Sequence, residues 1–188
     1  MASPSTPGPV RRGIVEAQFV EDVHTFMDGK EGDAVMKPLQ ERYQQYKLQE
    51  QTLTSRRALL EQKIPELKRN LAIVNKLQEQ KEAEKEAEVD FELADQIFAR
   101  ATIKDPESVC LWLGANVMVE YSLEEANLLL QRQLENATAS LEAVIEDLHF
   151  LRDQVTTTEV TLARVYNHEV KLRRERRLAE AAQAGDDT

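Results

Sequence analysis

The sequence predicts a mostly helical protein with a small β portion: a long antiparallel coiled-coil hairpin carrying two β-hairpins at its base. Three observations lead there. Among 188 residues there are six Gly, six Pro and 5% aromatics against 31% charged residues, the balance of long helices rather than of a compact globule. Two separate heptad seams run along the chain. Between them the apolar period drops to two, which is how a strand reads.

Composition also removes some function classes. With 41% hydrophobic residues and a single cysteine, the chain has material for neither a membrane span nor a disulfide scaffold. The 34 acidic residues exceed the 24 basic ones, for a formal charge of -10. That balance argues against neutralising nucleic-acid phosphates over the whole surface.

Residues 1–13 hold three of the six prolines and two of the six glycines and read as a disordered leader. They lack the continuous apolar core of a secretory signal, so a cytoplasmic location is expected, with a nuclear pool left open. From Ile14 the pattern changes. Phe19, Val20, Val23, Phe26 and Met27 give a short amphipathic helix over residues 14–30 one apolar stripe. That stripe needs a surface, either its own subunit as a clip or a partner as a docking segment.

The first long helix is expected over residues 33–88. One set of seam positions is Met36, Tyr43, Glu50, Arg57, Ile64 and Leu71, and the companion set is Leu39, Tyr46, Leu53, Leu60, Leu67 and Val74; ten of the twelve are apolar. Beyond Val74 the seam weakens, and residues 79–92, with seven acids and two lysines, read as helix with a solvated face. Pro65 falls beside the seam on the outer face, where a bend rather than an end is expected.

The second helix is expected over residues 122–178. Ser122 and Glu125 have the spacing of a capping box. From there the seam is Leu123, Asn127, Leu130, Leu134, Ala137, Leu141, Val144, Leu148, Leu151, Val155, Thr158, Leu162, Val165, Glu169 and Leu172, twelve of fifteen apolar. Each helix would extend roughly 75 to 90 Å, and neither can bury its seam alone. Folding back as an antiparallel hairpin, with paired numbers summing to about 210 from matched inner ends, puts Tyr46 near Leu162 and Val165. Residues 179–188 lose periodicity and read as a frayed tail.

Residues 89–121 read as four short strands in two hairpins. Phe91, Leu93, Ile97, Ala99, Ala101 and Ile103 alternate with polar or small neighbours. Residues 104–107 supply a turn, 109–113 are apolar without alternation, and Gly114-Ala-Asn116 is a second turn before Val117, Val119 and Tyr121. Phe91, Leu93, Ile97, Val109, Leu111, Trp112, Leu113, Val117 and Val119 have no adequate partner within a lone hairpin, so oligomerisation through the strands is expected.

No catalytic residue, metal site or cofactor is expected. His24, His149 and His168 lie far apart in sequence without a ligand pattern, and no phosphate-binding or nucleophile-elbow motif occurs. Cys110, inside the most apolar strand, reads as a packed thiol. The basic run at 171–177 reads first as a solvated helix end complementing the dipole and secondarily as an RNA or acidic-protein contact.

The segments FVEDVHTFM (19–27), KIPELK (63–68), VCLWLGANVMVEYSLEEA (109–126) and FLRDQVTTTEVTLARVYN (150–167) resemble prefoldin, and two β-hairpins rather than one resemble its α-type class. The resemblance implies an ATP-independent chaperone subunit in a hetero-hexamer of two α-type and four β-type prefoldin subunits. Its hairpins would form a β-barrel platform, and its coiled-coil tips would hold unfolded actin and tubulin for transfer to the cytosolic chaperonin (CCT/TRiC). No membrane or nucleic-acid partner is implied. The tip residues would be Met36, Leu39, Tyr43 and Tyr46 with Leu162, Val165, Tyr166 and Leu172. Each is equally an ordinary seam position, so a structural coiled-coil adaptor without client binding is the alternative.

Overall fold

The computed structural model describes residues 10–27, 29–30 and 32–186; residues 1–9 of the expected leader and 187–188 of the expected tail lie outside the described residues. The chain falls into two compact units, Met1–Arg56 with Val144–Thr188, and Arg57–Ala143. Two long helices, α2 (Gly32–Glu82) and α3 (Leu123–Asp186), contribute to both units. The fold is mostly helical, with the two expected small hairpins between these helices.

In the second unit the heptad positions do what the pattern requires. Leu67, Val74, Leu123, Leu130 and Ala137 are buried together, with Leu60, Ile64, Leu71 and Leu134 packed against them. Ala126, one position short of the expected seam residue Asn127, is fully buried in the same cluster. Asn127 itself donates through Nδ2 to Asn75 Oδ1 and to Gln78 Oε1, the latter at 2.7 Å. A satisfied polar group at a seam position favours one helix register, since slippage leaves it unpaired.

Helix α2 runs through Pro65, which is exposed. The donor it lacks is therefore missed on the solvated side, where water can serve the orphaned carbonyl. The helix stops at Glu82, earlier than the expected residue 88, because Glu84 takes a left-handed conformation (φ 50). Lys85 N–H donates to Gln80 O at 2.9 Å and Glu84 N–H to Lys81 O at 3.1 Å, the two bonds of a Schellman cap. A glycine usually marks that position, and here a glutamate occupies it. The acidic stretch expected to be helical therefore begins strand β3 at Ala87.

β3 (Ala87–Ala94) pairs antiparallel with β4 (Ile97–Ile103), and β5 (Ser108–Gly114) with β6 (Val117–Ser122). Ala115 (φ 48) and Asn116 (φ 61) make the second hairpin's turn; both are left-handed, as a type I′ turn requires. The capping box forms as read. Glu125 N–H donates to Ser122 Oγ at 3.3 Å, and Ser122 N–H and Oγ–H both donate to the Glu125 carboxylate.

In the first unit, α2 and α3 are also antiparallel: Tyr43 reaches Glu159 and Glu50 reaches Arg152. These pairs correct the expected register by about eight residues, roughly two helical turns. Tyr46 lies against Leu151 and Val155, not against Leu162 and Val165. The estimate of 210 rested on matching the inner ends with α2 running to residue 88, and the cap at Glu84 moves that end back. Gly32 opens α2 where any side chain would run into the Glu169 carboxylate.

The N-terminal segment departs most from expectation. Val10–Arg11 (β1) pairs with Ile14–Val15 (β2) through Arg12 (φ 46) and Gly13 (φ 87), so residues 10–13 of the expected leader are ordered. Residues 16–22 contain no helix, and among the described residues of 14–30 only Val23–Met27 (α1) is helical. Asp22 caps α1: it accepts from His24 N–H at 3.0 Å and from the Thr25 hydroxyl. These bonds, the Thr25 one foremost, hold its carboxyl below its ordinary value. At the other end α3 stays helical to Asp186, into the stretch read as frayed.

Replacing Glu84 with Gly removes the cost of a left-handed non-glycine residue while keeping both capping bonds. Thermal unfolding is expected to show Glu84→Gly more stable by about 1 kcal/mol.

Candidate functional site

Two surfaces carry the residues singled out from the sequence, one in each unit. The first is the pair of hairpins. In the β3–β4 hairpin, opposed residues share a face, so Val89, Phe91, Ala99 and Ala101 stand together while Glu88, Asp90, Arg100 and Thr102 stand on the other side. Arg100 lies 3.8 Å from Asp90 and 4.0 Å from Glu88 there. Nothing in the described chain covers the apolar face: Phe91 is 60% exposed, and Leu93 and Ile97 are likewise open. Phe98, opposite Glu92, is exposed on the polar face.

The β5–β6 hairpin divides differently. Val109, Leu111 and Tyr121 pack on the helical core of the second unit. Val119, which pairs with Leu111, is half-buried. Trp112 and Met118 pair on the opposite face and remain exposed, Trp112 at 59%. Leu113 and Val117 are exposed near the turn. Of the nine residues expected to oligomerise, Val109 and Leu111 thus also serve the chain's own core. Val89, Phe98 and Met118 are exposed apolar residues that the alternation argument passed over, the last two because they sit on the face assigned to polar side chains. Cys110 corrects the expectation of a packed thiol. It shares the outer face with Trp112 and is exposed.

The second surface is in the first unit, where residues 10–27 lie along the helices as a strap. Ile14 packs with Tyr46, Leu151 and Val155, and Met27 packs with Val35 and Val165. Polar bonds seat the backbone: the Tyr46 hydroxyl donates to Val15 O at 2.8 Å, and Ala17 N–H donates to Gln154 Oε1 at 2.7 Å. Arg164 donates to Val20 O at 2.7 Å and to Glu21 O at 2.9 Å. Arg11 with Glu146 and Arg12 with Asp147 add exposed ion pairs, each worth under about 1 kcal/mol. The His24 and His168 rings meet edge to face, 6.0 Å apart, although 144 residues apart in sequence terms comparable to the Val20–Arg164 pair.

The eight expected tip residues separate accordingly. Tyr46 is 3% exposed and Val165 fully buried. Met36, Leu39, Tyr43, Leu162 and Leu172 are half-buried, and Tyr166 is exposed. Gln154 and Thr161 are buried although they lie off the α3 seam; Gln154 is covered where it meets the strap at Ala17, which heptad counting cannot show. The Tyr43 hydroxyl donates to Glu159 at 2.5 Å, and that bond raises its pKa. Burial chiefly raises that of Tyr46. In the basic run, Lys171 pairs with Glu175 and Arg173 with Glu169 on their own helix.

Two outcomes are expected from this geometry. Trp112 emission should be red-shifted in the isolated chain and should move to the blue when the hairpins are covered in an assembly. Tyr46→Phe should cost about 1 kcal/mol through the lost bond to Val15 and make residues 10–27 more open to limited proteolysis. Because the folded-state pKa of Tyr46 is raised, its contribution is intact below pH about 10 and is lost as pH climbs through that raised value, so proteolysis should also speed up there.

Among the described residues no helix is long and apolar enough to cross a membrane. The family described as Prefoldin subunit matches residues 46–168. The chain is 49% identical over 164 residues to Prefoldin subunit 3 of Mus musculus, covering 86% of this chain and 84% of that one. Prefoldin subunit 3 of Drosophila melanogaster is 43% identical, covering 86% and 83%. Probable prefoldin subunit 3 of Schizosaccharomyces pombe is 42% identical over 167 residues, covering 89% and 96%. With paired hairpins between two heptad helices and a match through most of their length, the chain belongs to the prefoldin subunit family.

Proposed function

We propose that this protein is a non-enzymatic, ATP-independent holdase subunit of a prefoldin hetero-hexamer of two α-type and four β-type subunits. It would capture unfolded actin and tubulin and pass them to the cytosolic chaperonin (CCT/TRiC) in the cytoplasm. Membership of the family supports its place in a prefoldin chaperone complex with other prefoldin subunits. The observation that carries the assembly half is the open apolar face of the β3–β4 hairpin with Trp112 and Met118 on the second hairpin. A two-stranded sheet with such faces is marginal in water until other strands cover it.

Client capture draws on apolar residues in the first unit. Tyr166, Leu162, Leu172, Met36 and Leu39 offer adaptable contacts of modest strength, and several subunits acting on one client raise retention through effective concentration. The alternative, a structural adaptor, is favoured by one observation: Tyr46 and Val165 are already covered by the chain's own strap.

The test reconstitutes the full chain with the other prefoldin subunits and measures suppression of actin aggregation on dilution from denaturant. Incorporation with suppression is the expected result, and failure to incorporate rejects the reading. A Tyr166→Ser, Leu172→Ser variant that still assembles should capture actin severalfold less well; capture at the unsubstituted level would favour the adaptor.

A further inference from the structure

Part of the strap's hold does not depend on its sequence. Three side chains of the helices bond its main chain: Tyr46 to one carbonyl, Gln154 to one amide and Arg164 to two carbonyls. Gln154 is 6% exposed, so its carboxamide is committed to this contact and costs stability if left unpaired. Beside and among these bonds the strap buries the apolar side chains of Ile14, Val20 and, in the short helix α1, Met27. Ile14 enters a socket of Tyr46, Leu151 and Val155, and Met27 enters one of Val35 and Val165.

A groove with main-chain ligands and apolar sockets is a receptor for extended polypeptide in general, because backbone bonds supply affinity without reading sequence. We infer that this groove is a client-binding site: an extended segment of an unfolded chain occupies it in place of residues 14–22, the stretch of the strap between its hairpin turn and α1, which acts as a tethered stand-in. The inference rests on the holdase reading and gives it a location and a mode of contact. It also removes the difficulty posed by the buried Tyr46 and Val165, whose role is then to receive a client after the strap leaves.

The stand-in also sets a threshold. Tethering puts the strap at an effective concentration on the order of millimolar, and the apparent affinity for a client falls by the fraction of time the groove is closed. A folded protein has no free extended apolar segment with which to compete, whereas an unfolded one has many. Occupancy by the strap therefore favours unfolded clients over folded surfaces.

The experiment uses the assembled hexamer containing either the full chain or a chain lacking residues 1–27, with a fluorescent peptide of residues 10–27 as probe. The peptide should bind the shortened complex saturably, unfolded actin should displace it, and Arg164→Ala in that complex should weaken peptide and actin about tenfold together. Removing the strap should raise the actin capture rate severalfold. Should the shortened chain fail to assemble, Ile14→Asp with Met27→Asp in the full chain loosens the strap without touching the groove, and should raise capture likewise. Actin captured without displacing the peptide, or capture unchanged by loosening the strap, overturns this inference and leaves the holdase reading standing. No actin capture by any complex overturns the holdase reading, and this inference with it.

Discussion

A helix with a heptad seam must put that seam against something, because one apolar stripe left in water over many turns costs more than helix propensity returns. Every later feature follows from how α2 and α3 meet that demand. In the second unit they meet it with each other, and Leu67, Val74, Leu123 and Leu130 close the core between them. The Asn127, Asn75 and Gln78 bonds add a polar check on register. In the first unit two helices do not suffice, and a third element, the strap, completes the burial of Tyr46, Leu151 and Val165.

The hairpins show the same demand left partly unmet. The β5–β6 hairpin satisfies one face by laying Val109, Leu111 and Tyr121 on the helical core. Its other face, and the apolar face of β3–β4, have no cover within the described chain. Because strand edges and apolar faces persist only when paired or shielded, these faces support the proposal that the hairpins join strands of other subunits. The polar face of β3–β4, with Arg100 between Glu88 and Asp90, marks the side that can remain in water.

The proposed client site joins stability to function in one segment. The strap's bonds to Gln154 and Arg164 satisfy polar groups that would otherwise be stranded on a partly apolar surface, and its side chains fill sockets that an unfolded chain could also fill. In the proposed reading, a contact that completes the fold and a contact that holds a client fall to the same residues. Such dual use would suit the proposed holdase, whose adhesive surface must not stick to itself between clients.

Much of this was legible in the residues. The two seams, the paired hairpins, the Ser122–Glu125 cap and the helix-compatible place of Pro65 all follow from local patterns, since periodicity and capping are decided within a few residues of chain. Three things were not. The end of α2 depends on Glu84 adopting a conformation that glycine normally signals, and that end accounts for most of the two-turn difference in interhelical register. The course of residues 14–22 was hidden because its apolar spacing fits a helix, while its conformation answers to Gln154 and Arg164 far along the chain. The burial of individual seam residues was decided only by which surfaces the strap and hairpins cover. Sequence determines which stripes must be buried, because that is a property of local spacing; tertiary structure decides what buries them, because that depends on contacts between residues from 49 to 144 positions apart.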